Sequence, residues 1–157
     1  MMNTHTIFNP VMIRNVCSKT YLDMFMHLIP SIELWEDEEQ IAEEDYDKIN
    51  LTKLNLIEHG HYKNPVLAGI AIGLMSQIYD AGGKDYFIPE IHFCGISVKD
   101  KTTKVNLHTD NWDEKKLKVL GILNSDWDNR QDGGGFIYED MSYSLQPMNF
   151  LIFDSRQ

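Results

Sequence analysis

At 157 residues, with 43% hydrophobic and 24% charged side chains, the chain has the size and balance of one globular domain. A formal net charge of −10 argues against a general affinity for nucleic acid or anionic membrane, because such binding needs clustered Lys and Arg to release counterions. Cys17 and Cys94 are far apart and fit no zinc spacing, and no apolar run reaches transmembrane length. The N-terminal MMNTHTIFNPVMIRNV lacks the basic start and continuous apolar core of a signal peptide. Together these features predict a reduced, cytoplasmic protein with two buried thiols.

In chain order, IFNPVMIRNV alternates loosely as a first strand. SKTYLDMFMHLI opens with Ser18 as a helix cap before Tyr21, Leu22, Phe25, Met26 and Ile29 at helical spacing, and Pro30 ends it. Residues 31–48 form an acidic run that reads as solvated surface, partly helical or loop. NPVLAGIAIGLMSQIYDAGGK starts at Pro65, carries Val66, Ile70, Leu74 and Ile78 on an apolar face, and stops at Gly82 and Gly83, which predicts a second helix. Five short runs then read as strands: YFIPEIHFCGISVKD, TKVNLHTD, KLKVLGILNSD, GGGFIYED and MNFLIFDS. Residues 1–85 are thus expected to be mostly helical and 86–157 mostly strand, within one domain spanning 1–157. Helices followed by strands without helical crossovers predict an α+β fold, an antiparallel sandwich or barrel packed against N-terminal helices.

The stretch VNLHTD ends a predicted strand with His108 and Asp110, whose bases share a face about 6–7 Å apart while Thr109 points away. An imidazole nitrogen and a carboxylate oxygen suit a first-row divalent metal, and one further histidine would complete a two-histidine, one-carboxylate facial triad with open positions. By itself the pair is more often a hydrogen-bonded surface couple than a metal site.

The motifs that follow are VLGILNSDWD, GGGFIYED and LQPMNFLIFDSR. Their order after His-x-Asp resembles the 2-oxoglutarate and Fe(II)-dependent oxygenases, especially the prolyl 4-hydroxylase-like branch, over residues 86–157. The resemblance implies a double-stranded β-helix, or jelly roll, with N-terminal buttressing helices and its C-terminal strands missing. It implies that His108 and Asp110 are two catalytic iron ligands, and that Fe(II), 2-oxoglutarate as cosubstrate and O2 are required. Asn124 and Trp127 match the strand end and turn that shape the site, Gly134 and Gly135 match the start of the next strand, and Ile137 would face the cosubstrate. Pro147 and Phe150 to Phe153 match the strand leading to the second iron histidine.

Departures from the pattern are as informative. The sequence reaches Gln157 before that second histidine and before the basic residue that holds the distal carboxylate of 2-oxoglutarate. Tyrosines that some prolyl hydroxylases aim at the cosubstrate fall at Val98 and Ile122, so Ile122, Asn124 and Ile137 are the expected cosubstrate-side residues. His92 reads as a core strand residue, His59 and His61 as a loop pair able to bind metal weakly, and His5 and His27 stand alone. Arg156 precedes the missing ligand and is poorly placed for the carboxylate. A fragment of a longer reading frame explains the short end; a complete jelly roll that has lost catalysis and serves as a binding module is the alternative. A cupin-type zinc or manganese enzyme is disfavoured by the scarcity of histidines near the first motif. Exposed sheet edges could pair two copies as a homodimer. An intact site would couple decarboxylation of 2-oxoglutarate to hydroxylation of a C–H bond in a small-molecule or protein substrate, with a prolyl residue the nearest analogy and nucleic acid disfavoured.

Overall fold

In a computed structural model of the chain the described residues are 9–28, 36–40, 49–98, 117–128, 135–138 and 140–154. They form strands β1 (Val11–Ile13), β2 (Glu36–Gln40), β3 (Ile49–Glu58), β4 (Phe93–Val98), β5 (Leu117–Gly121), β6 (Phe136–Tyr138), β7 (Met141–Tyr143) and β8 (Phe150–Asp154). The helices are α1 (Lys19–Leu28) and α2 (Pro65–Ala81). The fold is α+β, and every strand pairing described is antiparallel.

Both helices begin where the sequence calls for them. Ser18 Oγ accepts from the Tyr21 amide at 3.1 Å, and Asn64 Oδ1 accepts from the amides of Val66 and Leu67 at 3.0 and 3.2 Å, so each cap occupies otherwise unpaired donors of a first turn. Pro65 at the first position of α2 needs no donor there. The helix stops at Gly82, whose φ of 153° is open to glycine alone. A Tyr21 hydroxyl bond to the Ile70 carbonyl, 2.6 Å, ties α1 to α2.

Three sheets result, ordered β1-β8-β5, β2-β3-β4 and β6-β7. In β8 the run FLIFD is buried along its whole length, as expected of a central strand covered on both faces. Phe150 and Ile152 face Ile13, Val16 and Ile78, a layer supplied by β1, the segment after it and α2. Leu151 and Phe153 face the other way, onto Tyr138 and Leu145 beside the β6-β7 hairpin. Leu151 and Ile152 are fully excluded from water, each contributing roughly 1.5–3 kcal/mol of apolar burial. A third cluster joins Phe25 of α1 and Leu67, Ala68 and Ala71 of α2 to Leu54, Leu56 and Ile57 of β3. α2 therefore serves two sheets, which explains why it is apolar nearly all round.

Two stretches differ from the sequence reading. Residues 1–85, expected to be mostly helical after a first strand, carry β2 and β3 as well as the expected β1, and β2 falls inside the acidic run read as solvated surface. β7 was likewise not foreseen. Strand pairing satisfies the backbone of β2 whatever its side chains prefer, with Glu36 to Gln40 set against Lys53 to Ile49. The run TKVNLHTD, with His108 and Asp110, lies outside the described residues, as does Gly134.

Candidate functional site

Cross-strand register fixes which residues of β5 face the apolar cluster beside the β6-β7 hairpin. Lys118 is set against Phe153 and Leu120 against Leu151, so Lys118, Leu120 and then Ile122 share the face that looks toward β6 and β7. Leu120 and Ile122 are half-buried against the cluster of Tyr138, Leu145, Leu151 and Phe153. The rings there are close: Phe136 and Phe153 have centroids 4.7 Å apart, and Tyr138 meets Phe153 edge-on at 6.0 Å. The Tyr138 hydroxyl donates to the Asp154 carbonyl at 3.2 Å, which satisfies a phenol that is almost wholly buried. Asp154 itself is buried at the end of β8.

Lys118 brings a cation to this apolar face, and burial lowers its pKa because the ammonium is costly to desolvate. The sequence contained the signal, a period-2 series of Lys118, Leu120 and Ile122, but a lysine in a strand is ordinarily an outward residue.

Past β5 the chain turns sharply. Asn124 is exposed, its carbonyl accepts from the Trp127 amide at 3.1 Å, and Trp127 is half-buried. Ser125 donates to the Asp23 carboxylate on α1, and Lys19 pairs with the same carboxylate at 2.9 Å. The Ser125 hydrogen bond, and then Lys19, hold the Asp23 carboxyl below its usual range. The turn following β5 is therefore anchored to α1, a link between residues 102 positions apart that no sequence pattern announced.

Of the residues expected at the cosubstrate, Ile122 packs against the Tyr138–Phe153 cluster and Asn124 is exposed in the turn after β5, whereas Ile137 is 56% exposed on the outer face of β6, opposite Ser142. Gly135 precedes β6, and Val98 sits at the end of β4 against Thr52. Pro147 and Met148 form the turn into β8, with Met148 at a φ of 68°. The metal-ligand pair His108 and Asp110 falls outside the described residues, and so do His5 and Arg156. Among the described residues no group of three or more His, Cys, Asp or Glu could hold a metal ion.

The remaining histidines are exposed. His27 lies in the last turn of α1. His92, read from the sequence as a core strand residue, stands exposed just before β4, and its ring meets that of His59 edge-on with centroids 5.2 Å apart. The sequence had coupled His59 to His61 instead. Both thiols are half-buried; burial raises the Cys17 pKa and pushes that of Cys94 up to about 11.

No helix among the described residues is long and apolar enough to cross a membrane. Compared with protein-family models, with curated proteins and with solved structures, the chain matches none.

Proposed function

We propose that this chain carries the core of an Fe(II)- and 2-oxoglutarate-dependent dioxygenase. The observation that carries the reading is the nested pairing of four consecutive strands: β6 pairs with β7, while β5 and β8 pair around them in a separate sheet. The two pairs face each other through Phe136, Tyr138 and Phe153. Such a doubled-over hairpin is the repeating element of a jelly roll. It coincides with the motif order that resembles the prolyl 4-hydroxylase-like oxygenases: β5 within KLKVLGILN, β6 in GGGFIY and β8 in NFLIFD.

On this reading the cosubstrate's carbon chain would lie against the apolar face shared by β5 and β6. That face is lined by Ile122, Leu120 and Phe153, and Lys118 offers a cation for a carboxylate. His108 and Asp110 supply the nitrogen and oxygen donors that Fe(II) favours. When bound, the iron would supply the oxidising chemistry with 2-oxoglutarate and O2, as in that family. The protein's own part is to orient the cosubstrate between the sheets and to exclude water from it. The substrate class nearest by resemblance is a prolyl residue in a protein.

The test is anaerobic addition of Fe(II) and 2-oxoglutarate, reading the visible charge-transfer absorption of the iron chelate. Its appearance, and its loss in His108→Ala, supports the assignment. Its absence in a folded chain favours the second reading, a jelly-roll binding module without catalysis.

A further inference from the structure

We propose that His59 and His92 form a surface site for Zn2+, separate from the residues assigned to iron. β3 ends in a four-residue reversal, Glu58-His59-Gly60-His61, closed by reciprocal hydrogen bonds between the Glu58 and His61 backbones at 2.8 and 2.9 Å. His59 and Gly60 occupy its centre with φ of 51° and 76°, the pair of left-handed conformations that a two-residue hairpin turn of type I′ requires. Asparagine or glycine fills such a position at least cost, so a histidine there presents an imidazole at the tip of a rigid turn.

The tip is tied to the residue whose ring it meets. The Gly60 amide donates to the His92 carbonyl at 3.1 Å, fixing the backbones that carry the two imidazoles. Their centroids are 5.2 Å apart with planes at 80°. A zinc-bound imidazole has its centroid about 3.2 Å from the metal, from a Zn–N bond of about 2.0–2.1 Å and a further ~1.1 Å to the ring centre, so two of them at a tetrahedral angle stand roughly 5.2 Å apart. A separation of 5.2 Å therefore lets the two imidazoles reach one zinc ion once a nitrogen of each turns toward it. Both rings are exposed, so water can fill the remaining positions, and either ring nitrogen can serve.

The site is tested by titrating Zn2+ into the full chain carrying His108→Ala and Asp110→Ala, which removes the proposed iron ligands, and following the imidazole resonances by NMR. Zn2+ should shift the His59 and His92 rings together. His59→Asn, chosen because Asn accepts the left-handed backbone, and His92→Gln should each weaken binding by about tenfold or more. Resonances of His59 and His92 that stay put, in this chain or in the unmodified one, would overturn the site. So would a loss of affinity in only one of the two variants.

Discussion

Gly121 offers a sharp test of the β5-β8 pairing on which the functional reading stands. It is set against Phe150, and a methyl group built on it would lie 2.3 Å from Phe150 Cε1 and 2.4 Å from Cδ1. Real carbon atoms do not approach so closely, and the ring cannot swing clear because Phe150 is only 4% exposed, enclosed by Ile13, Val16 and Ile78. Gly121 has no left-handed φ, so absent the ring Gly121→Ala would stabilise by about 0.4–1 kcal/mol through the unfolded state. Overpacking a core costs about 1–3 kcal/mol, so the ring decides the sign and a net loss of about 1–2 kcal/mol is expected. For a chain of this length that lowers Tm by about 2–8 °C. Urea denaturation of the parent, Gly121→Ala, Phe150→Val and the double variant measures it as a cycle. In the Phe150→Val background, where both δ carbons are gone, Gly121→Ala should be neutral or stabilising. An undiminished stability of Gly121→Ala alone, or an equal loss in both backgrounds, would refute the packing of β5 on β8.

Three further outcomes are expected. Asp110→Ala should abolish iron-dependent consumption of 2-oxoglutarate while circular dichroism stays that of the parent; retained turnover removes Asp110 from the ligand set. Lys118→Met should weaken 2-oxoglutarate binding, read by isothermal calorimetry, by about tenfold to a hundredfold, the equivalent of a charged hydrogen bond of about 1.5–3 kcal/mol. Affinity equal to the parent's would put the carboxylate elsewhere. Cys94, with its pKa moved from 9.0 to about 11, should carry about a hundredfold less thiolate at neutral pH than an exposed cysteine, and disulfide-reagent kinetics should register that lag. Because the folded pKa lies above the unfolded one, this burial stabilises fully below pH 9.0, and its contribution falls away as pH rises toward 11. Reaction of Cys94 at the rate of a free thiol would contradict it.

Elements with a local cause were legible in the sequence. Ser18, Asn64, Pro65 and Gly82 mark the helix ends through side chains or backbone freedom acting within a turn, and the apolar run of β8 announces a strand covered on both sides. β3 was missed because its alternation slips. Leu54 and Leu56 are buried at period 2, but Ile57 is buried as well, where the register against β4 shifts between Asn55 and Ile57. β2 was missed because nothing in EDEEQ favours a strand apart from its neighbour in space. The site divides the same way. The inward face of Ile122 follows from alternation, whereas Ile137 faces out because the β6-β7 register turns Phe136 and Tyr138 inward. The Asp23–Ser125 contact and the His59–His92 pair depend on tertiary proximity that spacing along the chain cannot convey.

The place of β8 between β1 and β5 governs when this protein can fold. Val11 pairs with Ile152, 141 positions later (152 − 11), and the helix that covers them both was finished long before. At about 5–20 residues per second, a ribosome needs roughly 7–28 s to make the intervening chain. Until β8 is made, Ile13, Ile78 and Leu120, each from the time it is itself made, are without their β8 neighbours, and the edges of β1 and, once made, β5 stand open. The α1–α2–β3 cluster, whose contacts are nearer in sequence, is free to form first, while closure of the β8 sheet carries the loop-closure entropy of nearly the whole chain. β8 thus has to enter between two partners that are already made.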